Sequence, residues 1–358
     1  MDYKETLFFI GKCLTISQDQ EYLTEVSKKI KSDSVNWETV VKVSTSHYVF
    51  PAIYCNLHRA NLVSYLPSDL VSHMIYITDL NRERNRQIIQ QAEQINQLLT
   101  EKNITPIFLK GTGNILGGLY VDIAERMVGD IDFIVDPEEY ELAIKTLLDD
   151  GYHKVSSKSN LPGKHYPRLI KDGAIAAIEI HKDLVKTPYE LEFNYEIIKH
   201  TILKEHSISL LSLNHQLCLS IIARQINDDG QYYNTISLRN AYDVWILSKY
   251  TNPLNTIKKL EGIFHPLNNF LALCHDVVSH KIDYLDTPES KKYLAVFKKI
   301  VHDSAYSLQH HKKWANKLKW KLRYQITKKA LLKKDYRQWY WRRVTDRDWL
   351  KGKFRLNV

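Results

Sequence analysis

Two aspartates inside an apolar run constrain this chain more than any other feature. Asp130 and Asp132 lie two residues apart in the run Gly-Asp-Ile-Asp-Phe-Ile-Val at residues 129–135, which predicts a buried strand. Strand side chains alternate between faces, so both carboxylates should share one face, about 7 Å apart. Burying two like charges side by side is unfavourable unless a positive charge lies between them. Because clustered carboxylate oxygens suit hard divalent cations, the run predicts a metal site built on a strand.

The pattern around this run changes along the 358-residue chain. Residues 1–102 have helical periodicity, clearest at about 67–102, where Ile88, Ala92, Ile95 and Leu99 recur at helical spacing. Short β-prone runs dominate residues 103–188, including a predicted hairpin formed by 166–170 and 175–180. Residues 189–311 return to helical character. We therefore expect an α+β fold in which a small β-containing core is embedded between two helical regions.

Composition narrows the class of protein. Hydrophobic residues make up 44% of the chain and charged residues 25%, which is ordinary for a folded soluble protein. The four cysteines are far apart, so we expect reduced thiols rather than a disulfide framework or a zinc site. No secretory signal is apparent near the start, and no apolar stretch approaches the roughly 20 residues needed to cross a bilayer. These features favour a cytoplasmic location.

Further residues predict a phosphate site beside the two aspartates. Glu179 is a third acid within an apolar strand, and three acids on two strands could hold two divalent ions. Lys110, Gly111 and Thr112 follow the first β-prone run and precede a helix predicted over about 114–120. Such a turn offers backbone N–H groups and an ammonium to phosphates. Arg126, four residues before Asp130, could add a second cationic contact.

These residues resemble the nucleotidyltransferase superfamily with the DNA polymerase β-like fold. Its signature is a glycine turn, then a strand with Asp-x-Asp or Asp-x-Glu, then a third acid on a later strand. More narrowly, the chain is similar to a bacterial family known only as uncharacterised nucleotidyltransferases. The similar segments are Leu-Lys-Gly at 109–111, Arg-Met-Val-Gly-Asp-Ile-Asp-Phe-Ile-Val at 126–135, Ile-Glu-Ile-His at 178–181 and Ser-Leu-Arg-Asn-Ala-Tyr-Asp-Val-Trp at 237–245.

The resemblance implies a small mixed β-sheet core and a metal-dependent transfer of NMP from an NTP to an acceptor, with release of pyrophosphate. Two Mg²⁺ ions are implied, with Mn²⁺ as the alternative. The implied metal ligands and catalytic residues are Asp130, Asp132 and Glu179, and the implied nucleotide-binding residues are Lys110, Gly111, Thr112, Arg126 and Gly129.

The acceptor stays open at this point. Members of the similar family often occur beside genes for surface polysaccharide or modified-peptide synthesis, which favours a small molecule, glycan precursor or peptide. Transfer to RNA, in the manner of toxin-type nucleotidyltransferases, is one alternative. A catalytically idle nucleotide-binding scaffold is another.

Two weaker signals have simpler interpretations. Arg239 and Asp243 are four residues apart on a predicted helix, so we expect an ion pair between them. His181 lies two residues beyond Glu179 on the same strand face, where a neutral histidine filling a polar pocket is at least as plausible as a catalytic one.

The C-terminal segment, residues 312–358, differs from the rest of the chain. It holds 17 lysines and arginines against three acids, which gives it a net charge of +14. Because the whole chain has a net charge of +9, the remainder carries −5. Five of the seven tryptophans also lie there. Three interpretations remain: a helix packed on the body with a basic outer face, a peripheral contact with an anionic membrane on its inner face, or a nucleic-acid contact.

Overall fold

A seven-stranded mixed sheet forms the centre of the fold in the computed structural model, which describes residues 1–155 and 165–345. The strand order is β3-β4-β5-β2-β1-β7-β6, with β2 parallel to β5 and β1 parallel to β7. The α+β class expected from the sequence is confirmed. The strands are β1 (Ile107–Phe108), β2 (Ile131–Ile134), β3 (His153–Lys154), β4 (Leu169–Ile170), β5 (Ile178–His181), β6 (Leu203–Glu205) and β7 (Ile208–Leu210).

Helices surround this sheet in sequence before and after it. The N-terminal helices are α1 (Tyr3–Thr15), α2 (Gln20–Lys31), α3 (Trp37–Ser46), α4 (Phe50–Arg59) and α5 (Ser68–Thr100). Within the sheet region lie α6 (Lys110–Leu116) and α7 (Tyr140–Asp149). The later helices are α8 (Tyr195–Ile198), α9 (Leu213–Ile222), α10 (Gly230–Tyr233), α11 (Leu238–Leu247), α12 (Pro253–Ile257), α13 (Phe264–Val277), α14 (Pro288–His302), α15 (Ser304–Leu332) and α16 (Lys334–Thr345).

The 33-residue helix α5 is the support on which the site is built. Ile88, Ala92, Ile95 and Leu99 are all buried, as their periodicity predicted. The same helix also buries amides that bind backbone: Asn85 Nδ2 donates to the Arg126 carbonyl at 2.7 Å. Gln91 both accepts from and donates to the backbone of Ala176 just before β5, at 3.0 and 2.9 Å. Helix α5 thus fixes the backbone leading into both acid-bearing strands.

The pairing of β2 with β5 brings the predicted acids together. Asp132 and Glu179 are register partners on neighbouring parallel strands, so their side chains leave the same face of the sheet. Ile131, Phe133 and Ile178 are fully buried on the opposite face. The predicted hairpin is also present, because β4 pairs with β5 antiparallel.

The helix that follows β1 begins earlier than predicted. Helix α6 spans Lys110–Leu116, whereas the sequence suggested about 114–120, so that expectation was wrong. Lys110 is its first residue, and Gly113 allows the close approach of the helix to β1. A Cβ atom at Gly113 would lie 2.6 Å from the Phe108 carbonyl oxygen. The Lys-Gly-Thr segment is therefore the first turn of the helix itself.

The basic C-terminal segment forms α15 and α16 as far as residue 345; the remainder, including Asp346, Asp348 and Trp349, lies outside the described residues. Helix α15 packs on the body through Trp314, whose ring lies 5.0 Å from that of Tyr232. Most of its other side chains are exposed. Within the described parts of the chain, no helix is both long and apolar enough to cross a membrane. All four cysteines are buried and none forms a disulfide.

Candidate active site

Three side chains from the two parallel strands converge at the centre of the candidate site. Ligand atoms of Asp132, Glu179 and His181 all lie within 4.8 Å of one another. His181 Nε2 is 2.7 Å from Asp132 Oδ1 and 3.9 Å from Glu179 Oε2. Two carboxylates and one imidazole form a donor set that suits a divalent cation.

Asp132 is the most strongly stabilised anion of this group. Its Oδ1 accepts from Lys110 Nζ at 2.6 Å and contacts His181 Nε2 at the distance given above. Burial alone raises the pKa of Asp132, but the Lys110 ammonium and His181 outweigh this and hold the pKa below its usual range. Asp132 therefore stays ionised in a buried position.

Asp130 and Glu179 share a second cation, Arg168, at the start of β4. The Arg168 guanidinium bonds to Asp130 Oδ1, and its Nε lies 3.5 Å from Glu179 Oε1. Arg168 is 47% exposed, whereas Glu179 is only 16% exposed. Each carboxylate predicted as a metal ligand is thus paired with a basic side chain of the chain itself.

The turn at the start of α6 places the residues predicted to bind nucleotide in different environments. Lys110 has a left-handed backbone (φ 52°), which non-glycine residues seldom adopt. Gly111 packs against Arg126, since a Cβ there would lie 3.5 Å from the guanidinium carbon. Thr112 is fully buried, and its hydroxyl donates to the Asp130 carbonyl at 2.9 Å. The Gly129 carbonyl accepts from Arg84 Nη2 at 3.2 Å.

Arg126 takes part in a buried network with α11. Its Nε lies 3.0 Å from Asp243 Oδ1, and the side chains of this pair are only 6% and 2% exposed. Tyr120 donates its hydroxyl to the same Asp243 oxygen at 2.6 Å. Burial alone lowers the pKa of Arg126, but Asp243 and Tyr120 outweigh it and raise the pKa above its usual value.

This network overturns the predicted ion pair between Arg239 and Asp243, because Arg126 is the partner of Asp243. Arg239 instead lies over the Tyr48 ring, with its guanidinium carbon 5.0 Å from the ring centroid. Burial and the neighbouring Arg126 lower the pKa of Arg239 to about 10. Arg239 therefore remains a cation near neutral pH.

A cavity of about 240 Å³ joins the acidic strands to the helices. Its lining includes three basic residues and five acids: Lys110, Arg126, Arg239, Asp130, Asp132, Glu179, Asp228 and Asp243. A groove of about 680 Å³ between α5 and the β4–β5 turn is larger, but its lining holds none of the strand acids and includes four glutamines of α5. Chemistry rather than size identifies the site.

One protein family matches most of the chain. The family described as "Uncharacterised nucleotidyltransferase" matches residues 33–278, more than half of the chain. The chain belongs to this family. Among curated proteins and solved structures, the comparison found no match. The match includes both acid-bearing strands and α11, so every residue of the cavity described above lies within the nucleotidyltransferase region.

The sequence predictions omitted or gave little weight to two side chains of this candidate site. His181 belongs to the converging group rather than merely filling a pocket. Arg168 was not considered at all, although an arginine between Tyr166 and Ile170 in a β-prone run was a usable signal. The sequence also did not predict the helical wall of the cavity, which includes Asn227, Asp228, Arg239 and Asp243. Asn227 and Asp228 reach the cavity from the end of a π-helix, Ala223–Asn227, a distortion that is frequent at functional sites.

Proposed function

We propose that this chain is a metal-dependent nucleotidyltransferase that moves NMP from an NTP to an acceptor and releases pyrophosphate. The observation that carries the proposal is the convergence of Asp132, Glu179 and His181, of which Asp132 and Glu179 line a cavity together with Asp130 and Lys110. Membership of a nucleotidyltransferase family supports the same reaction class. The family resemblance further favours a DNA polymerase β-like core.

The cavity lining supports a requirement for divalent metal. Its five acids outnumber its three basic residues, so an NTP with its own negative charge would be repelled without added cations. Asp130, Asp132 and Glu179 would hold Mg²⁺, or Mn²⁺ as the alternative, and two ions fit the number of acids. His181 is an additional donor. When bound, such ions neutralise phosphate charge and activate the attacking oxygen.

The chain's own residues would position the reactants and handle the acceptor proton. Lys110, at the first turn of α6, would shift its ammonium from Asp132 toward the phosphates. The acceptor oxygen or nitrogen forms a bond to the α-phosphorus while the bond from that phosphorus to the bridging oxygen breaks, and pyrophosphate leaves with the electron pair. Glu179 would accept the acceptor proton. Catalysis of this kind depends mainly on positioning and charge stabilisation.

Transfer of a labelled nucleotide is the direct test of this reaction. The purified protein is incubated with each α-³²P-labelled NTP, Mg²⁺ or Mn²⁺ and a cell extract, and labelled products are separated and identified. We expect label in one acceptor class, dependent on metal and absent with Asp132→Asn. Stabilisation by metal plus NTP without any transfer would instead support a nucleotide-binding scaffold.

The acceptor class follows from the same experiment. We favour a small molecule, a glycan precursor or a peptide, in keeping with surface polysaccharide or modified-peptide synthesis. Label that resists protease but is lost on ribonuclease treatment would instead identify RNA as the acceptor.

Helix α15 supports a second proposal, a peripheral contact with an anionic membrane at the cytoplasmic face. Trp320, Tyr324 and Leu331 are 65%, 70% and 75% exposed, and their spacing of four and seven places them on one helix face. Exposed lysines such as Lys317 and Lys328 lie close to this face. Aromatic residues beside lysines suit the headgroup region of an anionic bilayer.

Vesicle sedimentation tests this contact. We expect the protein to sediment with phosphatidylserine-containing vesicles, to remain in solution with pure phosphatidylcholine, and to lose binding with Trp320→Ala plus Leu331→Ala. The matched control is Tyr250→Ala, an equally exposed aromatic residue outside the C-terminal segment. Sedimentation that is absent with both lipids, together with salt-sensitive RNA binding, would replace the membrane by nucleic acid.

A further inference from the structure

Arg239 differs from the other two basic residues of the cavity in its ion pairing. Lys110 is paired with Asp132, and Arg126 is paired with Asp243. Among the described residues, no carboxylate lies within ion-pair distance of Arg239. Asp228 also lines the cavity, but it does not bond to this guanidinium. Asp243 and Asp228 are near enough to favour the charged form of Arg239, but among the described residues neither forms an ion pair with it.

The hydrogen bonding of Arg239 is also incomplete. Its Nε is buried and has no hydrogen-bond partner among the described residues. A buried donor on a charged group is unfavourable when left unsatisfied, and Arg126 nearby adds like-charge repulsion. An arginine in this position is thus poorly explained by stability. An anion bound in the cavity that Arg239 lines would balance the charge of the guanidinium.

Tyr48 holds the guanidinium in a defined orientation. The ring lies under it at 5.0 Å, a distance at which a cation is attracted to the aromatic face. Arg239 also lines the cavity, so this side chain, which ends in a planar fork of N–H donors, borders the space that a ligand would enter. That planar fork of donors matches two oxygens of one phosphate, which a lysine ammonium does not.

We propose that Arg239 is the residue that anchors the phosphates of the nucleotide from the helical wall of the cavity. This inference rests on the proposed function, and it assigns to Arg239 the guanidinium–phosphate contact that sequence analysis gave to Arg126. Arg126, closed in by Asp243 and Tyr120, instead positions the wall on which Arg239 stands.

Calorimetric titration with Mg²⁺ and inorganic pyrophosphate tests the anchor without any transfer reaction. The titration is then repeated with four NTP analogues, one for each base, in which a methylene group replaces the oxygen between the α and β phosphates. Loss of a charge-assisted hydrogen bond predicts a rise in Kd of about 10- to 100-fold for Arg239→Gln with both ligand types. We expect a smaller rise for Arg239→Lys. The affinity for the nucleoside without phosphates should stay unchanged, as should the melting temperature of the unliganded protein.

The controls separate this inference from the proposed function. Arg86→Ala removes an exposed arginine that pairs with Glu83 outside the cavity, and it should leave every Kd unchanged. If wild type binds pyrophosphate and Arg239→Gln binds it within twofold, the anchor is wrong while the proposed function stands. A lower melting temperature of the unliganded variant with equal loss of nucleoside binding would also overturn it, because it would give Arg239 a structural role. If wild type binds neither pyrophosphate nor any analogue with Mg²⁺ or Mn²⁺, both proposals fail.

Discussion

Carboxylates on the two walls of the cavity differ in how firmly their charges are held. On the sheet wall, Asp132 and Asp130 are paired with Lys110 and Arg168, whose side chains are 25% and 47% exposed. On the helical wall, Asp243 is paired with Arg126, and both are almost completely buried. The basic partners on the sheet wall are partly exposed even though Asp132 itself is buried, whereas the Arg126–Asp243 pair is enclosed on both sides. A partly exposed side chain exchanges partners more easily, and a buried ion pair is strongly destabilised when one partner is removed.

This difference suggests different roles for the two walls: we propose that the sheet wall carries the reaction and that the helical wall stabilises the fold. The sheet wall brings its acids close together and pairs them with two partly exposed basic side chains, Lys110 and Arg168. On the helical wall, Arg126 forms an ion pair with Asp243 and Tyr120 donates a hydrogen bond to it. These contacts hold α11 against the loop before β2. Substitutions of equal size on the two walls should therefore affect different properties.

The largest expected effect is on activity, from Asp132→Asn. Asp132 contacts both Lys110 and His181, so removing its charge weakens the whole group of converging side chains. We expect nucleotide transfer to fall by at least about 100- to 1,000-fold. The fold should survive, because the strand keeps its buried apolar face. Steady-state labelling rates and thermal unfolding of the same preparation measure both effects. Full labelling activity in this variant would remove Asp132 from the mechanism.

The next effect is on stability, from Asp243→Asn. It leaves the buried Arg126 without its anion, which costs about 3–5 kcal/mol when a buried pair is broken. Denaturant unfolding measures this free energy. Glu83→Gln is the matched control, because it breaks an exposed pair with Arg86 and should leave the free energy of unfolding almost unchanged. Equal stabilities of the two variants would erase the distinction between the walls.

Local patterns in the sequence were sufficient for the elements that carry the site. The periodicity of Ile88, Ala92, Ile95 and Leu99 predicted α5, and the acids in apolar runs predicted β2 and β5. These predictions succeeded because helix and strand periodicity depend on near neighbours. The family resemblance then indicated which acids belong together.

Contacts between distant segments could not be read in this way. The spacing of Arg239 and Asp243 favoured a local pair, which is worth only a few tenths of a kcal/mol on a helix. Asp243 is almost completely buried and pairs instead with Arg126, which is also buried and lies 117 positions away in the sequence. Helix spacing does not reveal a partner at such a distance. The role of Arg168 likewise depends on the β4–β5 pairing, which brings it to Asp130 across 38 positions.

The smallest expected effect is on the affinity for metal, from Arg168→Ala on the sheet wall. If its guanidinium occupies the charge position of a metal ion at Asp130 and Glu179, then Arg168→Ala removes a competitor. Since exposed pairs are worth up to about 1 kcal/mol, the Kd for Mn²⁺ without nucleotide should fall by at most about fivefold. Electron paramagnetic resonance of free Mn²⁺ measures this Kd directly, with Arg86→Ala as the control. A weaker Mn²⁺ affinity in Arg168→Ala would mean that the guanidinium orients the two carboxylates for the ion instead of competing with it.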